Sequence, residues 1–325
     1  MGPVMNIRSA ALIVTFLAMP IGAYAQAYPA KPIKFISPQP PGGTFDYVMR
    51  VFAERLQPAL GQPLIIEHRP GGGTMVGLDY TSKQPTDGYT IVMSSSTHSI
   101  LPSVVAKLPF DPVAAFDPIS LVSISPFILV VRTDSSAQNA ADYIALARSK
   151  PGAITFGSSG VGTPLHFAGE MMKAMAGVDM LHVPYKGAAA VITAVLSGEI
   201  TSSFAPATLA LPQLKAGKLR ALGNVGSTRT PALPDLPNIG ETLPGFALDS
   251  WFGVMGPAGL PRPIVDRLNA EFNRVARDAQ FIKEKLLPAG IDPAGSTPER
   301  LREVLIADIA KYAKMVKDAK IKVEQ

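Results

Sequence analysis

The sequence predicts an α/β fold with mostly parallel sheets, large enough for two domains. Three observations carry this expectation. Short apolar, strand-like runs alternate with helical periodicity almost throughout, as in successive βα units. Three of those runs break into a glycine-bearing turn, after which a hydroxyl residue opens a helix. The chain has 325 residues, enough for two cores.

Ile33-Lys34-Phe35-Ile36-Ser37 reads as the first strand, and Pro40-Pro41-Gly42-Gly43-Thr44-Phe45-Asp46 as the first turn. Phe45, Val48, Met49, Phe52 and Leu56 then recur at helical spacing. Leu64–Ile66 is a strand that leads through Arg69-Pro70-Gly71-Gly72-Gly73-Thr74 to a short helix. Thr90–Met93 is a third strand, and Pro109–Pro118 reads as loop. Phe127–Val131 is fully apolar and predicts a buried strand that opens a second α/β series.

In that series a helix is expected near Ala140–Ser149 and a strand at Ile154–Phe156. Gly157-Ser158-Ser159-Gly160-Val161-Gly162 follows, with Thr163 as cap and Pro164 at the first helical position. Leu165, Ala168, Met171, Met172 and Met175 form the inner stripe of that helix. Leu181–Val183 is a strand, and Pro184-Tyr185-Lys186-Gly187 is the next turn. Val191, Ile192, Val195 and Leu196 make a short helix that Gly198 ends. Leu219–Leu222 is a strand, and apolar Trp251–Met255 returns the chain to the first domain. Pro263 opens one tail helix. Ser296 with Glu299 predicts a capping box for the last one.

The N-terminus reads as a secretory signal peptide. Arg8 precedes a short apolar run, Pro20 and Gly22 break it, and Ala23-Tyr24-Ala25 fits a small-x-small cleavage site. Export to a bacterial periplasm is the expectation, with the mature chain starting at Gln26 or Tyr28. The chain has no Cys, which excludes disulfides, thiol chemistry and Cys–metal sites. No later segment has the length of a membrane helix, so a soluble mature protein is expected. Removing Arg8 leaves 29 Lys and Arg against 25 Asp and Glu, a net charge of +4. The bases are scattered or lie on outer helical faces such as Lys311, Lys314 and Lys317, which argues against a nucleic-acid partner.

Enzyme signatures are mostly missing. Gly157-Ser158-Ser159-Gly160 is not a G-x-S-x-G elbow, because Val161 stands where the last glycine belongs. No P-loop or dinucleotide fingerprint is present, and the four histidines show no metal-binding spacing. A helix N-terminus, in contrast, has unpaired N–H groups and a partial positive charge, and glycines let a ligand approach the backbone. Three such turns predict an anion-binding cleft built mainly from backbone. No cofactor or metal is called for.

The chain resembles the Bug-type solute receptors, the periplasmic substrate-binding proteins of tripartite tricarboxylate transport systems. The marks are Pro41-Gly42-Gly43-x-x-Asp46-x-x-x-Arg50, Gly61-Gln62-Pro63, Glu67-His68-Arg69-Pro70-Gly71-Gly72-Gly73 and Asp87-Gly88-Tyr89-Thr90. They continue in Phe156-Gly157-Ser158-Ser159-Gly160, His182-Val183-Pro184-Tyr185-Lys186-Gly187, Ala216–Leu222 and Trp251-Phe252-Gly253. The resemblance implies a two-domain periplasmic binding protein of type II, whose domains close on a ligand like a flytrap. It implies a signal peptide at 1–25, a discontinuous first domain at 26–126 and 250–325, and a second domain at 127–249.

The resemblance also places a ligand carboxylate near Gly42, Gly43, Thr44 and Phe45. Lining roles fall to Thr74, Ser95, Thr97, Ser158, Ser159, Thr163, His166 and Phe204. Asp46 is expected to brace its loop rather than touch an anion. Tyr185 and Lys186 either gate the far side of the cleft or shape their turn. Where relatives often carry acids, this chain has Thr201 and Ala205. The expected ligand is therefore a small organic carboxylate without an amine. The expected partners are the membrane subunits of a tripartite tricarboxylate-type transporter, and the receptor is expected to be a monomer. Two rival readings remain: a secreted hydrolase using Ser159 with His166, and a solute sensor for a membrane kinase.

Overall fold

The structure is a computed structural model that describes residues 1–2 and 28–318. The apolar run of the expected signal peptide and its cleavage site lie outside the described residues. One sheet contains β1 (Ile33–Ser37), β2 (Leu64–His68), β3 (Thr90–Ser95), β4 (Phe116–Ile124), β10 (Trp251–Pro257) and β11 (Asp292–Pro293). The other contains β5 (Phe127–Arg132), β6 (Ile154–Ser158), β7 (Met180–Pro184), β8 (Ser202–Pro206) and β9 (Leu219–Asn224). The spatial orders are β11-β4-β10-β3-β1-β2 and β7-β6-β8-β5-β9. Each sheet with its helices forms one lobe.

The fold is α/β, but each sheet is mixed rather than mostly parallel. β1 pairs in parallel with β2 and β3, and β6 with β7 and β8. β10 runs antiparallel to β3 and β4, and β5 antiparallel to β8 and β9. The reason lies in the connections. Parallel neighbours need a crossover, which the βα units supply. β4 and β5 are joined only by Ser125-Pro126, and β10 enters from the other lobe, so these strands run against their neighbours.

The helices fall largely where the periodicity places them. α1 (Thr44–Leu60) and α2 (Met75–Ser82) follow β1 and β2, and α3 (Ser96–Val104) follows β3. In the other lobe lie α4 (Ala140–Ser149), α5 (Pro164–Ala176), α6 (Ala188–Ser197) and α7 (Ala207–Lys215). The short α8 (Ile239–Thr242) lies on the return path. α9 (Arg262–Ala276), α10 (Ala279–Phe281) and α11 (Pro298–Asp318) complete the chain. Gly198 ends α6 at φ 78°, as expected. α1 and α9 share the apolar layer under the first sheet, with Phe52 and Phe272 stacked at 6.1 Å. The second lobe packs around Tyr143, Phe156, Phe167, Phe204 and Phe246.

Three local expectations change. β4 includes Phe116–Pro118, at the end of the stretch expected as loop. Met175 is 39% exposed while Met171 and Met172 are buried, because Met175 sits in the last turn of α5 and reaches the turn at Gly245. Ser296 does not cap α11. Its Oγ accepts from Leu121 N–H at 3.0 Å and donates to Thr297 O at 2.8 Å. Thr297 Oγ1 takes over the cap by accepting from Arg300 N–H at 3.2 Å.

α11 ties the lobes together. It packs on β4 and α3. Trp251 Nε1 donates to Asp308 Oδ2 at 2.7 Å, and the buried Tyr312 ring lies 5.4 Å from Phe167 of the other lobe.

α5 lies so close to β6 that one residue of it must be glycine. A Cβ on Gly169 would sit 1.9 Å from the Phe156 ring. Gly169→Ala is therefore expected to destabilise the protein by about 1–3 kcal/mol through overpacking, despite the better helix propensity of alanine. Urea unfolding of the variant checks this, and an unchanged midpoint would show that the layer yields.

Candidate functional site: a cleft between the lobes

The parallel strands of both lobes point their C-terminal ends at one another. Each is followed by a turn and a helix, so six turns converge on one space. Gly43 and Thr44 follow β1, Gly73 follows β2, and Ser95 stands between β3 and α3. Thr163 precedes α5, Gly187 precedes α6, and Pro206 stands between β8 and α7. Together they line a cleft of about 560 Å³. Crevices at strand C-terminal ends are the usual ligand sites of such sheets, and the first N–H groups of each helix have no partner inside it.

The first turn is braced from behind. Asp46 Oδ2 accepts from Gly42 N–H at 3.2 Å and from Arg50 Nε at 3.0 Å. His68 Nε2 lies 3.3 Å from Asp46 Oδ1, while His68 Nδ1 donates to Gln39 O at 2.9 Å. Burial alone would raise the Asp46 pKa. The hydrogen bonds from Arg50 and Gly42, with the charges of Arg50 and His68, hold it below the ordinary carboxylate value instead. Asp46 thus fixes the loop, as its position predicts. Gly42 itself takes φ 88°, which favours glycine.

The lining of the cleft mixes hydroxyls with aromatic and aliphatic side chains. Ser95, Thr97, Ser125, Ser159, Thr163 and Ser250 supply hydroxyls. The buried Ser125 Oγ has no protein partner. Phe45 and Phe252 meet edge to face at 4.9 Å, and Phe127, Leu165 and Leu209 extend this surface. Lys186 is the single charged side chain among the described lining residues. Thr44 Oγ1 and Thr208 Oγ1 share a 2.7 Å hydrogen bond, a direct polar contact between the lobes.

Eight of the predicted residues line this cleft: Gly42, Gly43, Thr44, Phe45, Ser95, Thr97, Ser159 and Thr163. Four stand behind its wall. Thr74 is 3% exposed and lies beneath Gly73, with φ 90°. Ser158 is fully buried, and its Oγ bonds Gly160 and His182. Phe204 points into the core of the second lobe, 6.3 Å from Phe156. His166 is buried in the first turn of α5, where its Nδ1 accepts from Gly162 N–H at 3.2 Å. Ser95 Oγ caps α3 by accepting from Thr97 N–H at 3.2 Å, but neither Thr74 nor Thr163 makes a side-chain cap bond, and Thr163 Oγ1 donates to Gly160 O at 2.7 Å.

Of the pair considered as gate or turn, Tyr185 bonds Glu199 at 2.7 Å and shapes the turn, while Lys186 faces the cleft. Sequence reasoning missed Ser125, Phe127, Ser250 and Phe252. The available signal was their position flanking the two crossings between lobes.

Two α/β lobes facing across a cleft ringed by helix N-termini define a solute-binding protein of the periplasmic type. The chain belongs to the tripartite tricarboxylate transporter family receptors, whose family model matches residues 48–321. It is 33% identical over 301 residues to the UPF0065 protein of the tcbD-tcbE intergenic region of Pseudomonas sp. strain P51, covering 92% of this chain and 89% of that one. It is similar to a solved structure of R. palustris Rpa4515 with adipate, with a TM-score of 0.85, 30% identity, and coverage of 91% of this chain and 100% of that one. It is also similar to the periplasmic binding protein BugD, with a TM-score of 0.82, 28% identity, and coverage of 91% and 100%. These are binding proteins and not enzymes, which removes the hydrolase reading. Neither ring nitrogen of His166 has Ser159 as a partner: Nδ1 is taken by Gly162, and Nε2 faces Glu170 at 4.0 Å.

Three histidines are held neutral. Burial pushes His98, His166 and His182 each down to about 4, and the Lys173 charge adds to this for the last two. Between pH 6.5 and 4 the unfolded chain therefore binds more protons at these sites than the native one, and stability rises with pH. Asp292 and Asp308 oppose them: burial raises Asp292 to about 6 and raises Asp308 as well, so both favour the native state as pH falls. Three imidazoles outweigh the two carboxyls. Stability is expected to be complete above pH 6.5 and to fall toward pH 4, with His98 alone contributing roughly 3 kcal/mol. Melting temperatures across that range check the sign, and a higher value at pH 4.5 than at pH 7 contradicts it.

Proposed function

We propose that this protein is a periplasmic receptor that captures a small organic carboxylate lacking an amine and delivers it to the membrane subunits of a tripartite tricarboxylate-type transporter. The observation that carries this reading is the cleft itself: helix N-termini, seven hydroxyl side chains and one lysine, with no Asp or Glu among the described lining residues. Helix N-termini and a cation favour an anion. A buried ammonium would need an acidic or carbonyl partner, because an unpaired buried charge is costly. Asp249, the nearest acid in sequence to the lining Ser250, accepts from Ser227 N–H and Oγ at 2.9 and 2.8 Å and does not line the cleft. Thr201 and Ala205, where relatives often carry acids, are also outside the lining, so the argument rests on the cleft and not on that segment.

The same reading takes 26–126 with 250–325 as one closing unit and 127–249 as the other, with export directed by 1–25. The similarity to a protein solved with adipate and to a periplasmic binding protein supports the ligand class and the location. Ligand binding across both units shifts an open–closed equilibrium, and the closed form is what the transporter recognises.

Titration calorimetry with matched pairs tests the ligand class: succinate against aspartate, and adipate against 2-aminoadipate. The amine-free member of each pair is expected to bind more tightly, and tighter binding of the amino acids overturns the reading. Ser159→Ala is expected to weaken carboxylate binding by about 1–3 kcal/mol with the fold intact, the usual value of a hydrogen bond to a charged group. Wild-type affinity in that variant places the carboxylate elsewhere in the cleft.

A further inference from the structure

Two stacked histidines, His166 buried and His182 half-buried, stand outside the cleft lining, and ligand contact does not account for them. His166 in α5 and His182 on β7 stack with ring centroids 4.2 Å apart and planes 27° apart. His182 stacks in turn on Phe156 at 5.0 Å. Both rings reach the turn Ser158–Thr163, which carries Ser159 and Thr163 into the cleft. His166 Nδ1 accepts from Gly162 N–H at 3.2 Å, and His182 Nε2 shares a 2.6 Å hydrogen bond with Ser158 Oγ. Ser158 Oγ accepts from Gly160 N–H at 3.2 Å and donates to Gly160 O at 2.9 Å.

We propose that the His166–His182 pair is a positioning device for the ligand: held neutral, it fixes the Ser158–Thr163 turn in the shape that presents Ser159 and Thr163 to a carboxylate. This rests on the reading of the cleft as a carboxylate site. The hydrogen bonding dictates the protonation. A ring nitrogen that accepts from N–H carries no proton, so the His166 proton sits on Nε2. Ser158 has one hydroxyl proton, and with that proton on Gly160 O it accepts from His182 Nε2–H.

Adding a proton to His166 Nδ1 turns an acceptor into a donor aimed at another donor. It also places a charge against the neighbouring imidazole. The charged groups that face the pair are both on α5. Glu170 Oε1 lies 4.0 Å from His166 Nε2 but is already bonded to Lys173 Nζ at 3.0 Å. The segments β6, β7, β8 and α3, which pack against α5, contain no Asp, Glu, Lys or Arg, and α11, which meets α5 through Tyr312 on Phe167, places none of its charged groups against either imidazole. Nothing beyond Glu170 favours the charged rings, in agreement with pKa values pushed down to about 4.

The turn also touches the other lobe. A Cβ on Gly162 would meet Val104 of α3 at 3.4 Å, an ordinary contact distance, so the turn lies beside the first lobe. A loosened turn would disturb both the hydroxyls and the surface on which the lobes meet.

Two variants separate positioning from bulk. His166→Asn keeps an acceptor oxygen near the Nδ1 position, while His166→Leu keeps the volume and removes the acceptor. Circular dichroism and melting curves establish that each folds. The expected result is loss of hydrogen-exchange protection at the Gly162 amide in the Leu variant and its retention in the Asn variant. Adipate or succinate affinity, measured by calorimetry, is expected to fall about tenfold in the Leu variant and to recover in the Asn variant. Adding Ser159→Ala to His166→Leu should then cost less than in the wild type. In the folded wild type, affinity is expected to be level from pH 8 to 5.5 and to drop toward pH 4. A folded Leu variant with wild-type affinity and wild-type Gly162 protection overturns the proposal. If the wild type binds no carboxylate, the reading of the cleft fails. Amide protection then decides alone: lost only in the Leu variant, it supports the positioning role, and equal in all three proteins, it refutes it.

Discussion

The constraint on which the rest depends is where a βα unit leaves its helix. A parallel strand followed by a short turn delivers the next helix N-terminus to the edge at which the strand ends. Two lobes built this way, placed edge to edge, bring the starts of α1, α3, α5, α6 and α7 around one space. The positive ends of helix dipoles and unpaired N–H groups then accumulate without any cluster of basic side chains. That explains how a cleft with one lysine can favour an anion, and why the chain needs no strong net charge to do it.

Much of this was legible in the sequence because glycine turns are local. Gly42-Gly43, Gly71-Gly72-Gly73 and Gly157–Gly162 announce strand-to-helix turns from their own composition, and eight predicted residues from these and neighbouring turns meet in the cleft. What was not legible is direction. Within a turn, sequence does not say which hydroxyl faces the cleft and which faces the core. Ser158 and Ser159 are adjacent and look alike, yet Ser158 is buried against His182 and Ser159 lines the cleft. Phe204 was lost the same way, since strand alternation decides its side only once the pairing of β8 is known.

Unread elements share a cause. β8 reads as Ser-Ser-Phe-Ala-Pro, too polar for a buried strand, yet Ser202 and Ser203 are fully buried. They are tolerated because each finds a partner: Ser202 Oγ lies 2.6 Å from Tyr143 OH, and Ser203 Oγ donates to Gly157 O at 3.2 Å. α3 carries four hydroxyls and an internal proline and was likewise not expected. Buried polar residues defeat a reading based on hydrophobic pattern, and in β8 tertiary partners satisfy them. The mixed sheets escaped for another reason. Strand direction follows from the connection, and the apolar runs Phe127–Val131 and Trp251–Met255 mark the crossings without showing that their strands run antiparallel to their neighbours.

The contacts between the lobes set what closure can do. The chain crosses at Ser125-Pro126 and again before β10, and α11 adds a third tie through Tyr312 against Phe167. Apolar packing at the last of these ties keeps the lobes attached. Across the cleft the contacts are lighter: the Thr44–Thr208 hydrogen bond and the approach of Gly162 to Val104. A single hydroxyl pair contributes on the order of 1 kcal/mol. On the proposed reading, opening on that side would cost little, and a ligand bonding Thr44 and Gly43 on one face and Ser159 and Thr163 on the other would supply the difference between the open and closed states. A weak direct contact suits such a receptor, since a strong latch would close the cleft whether or not it was filled.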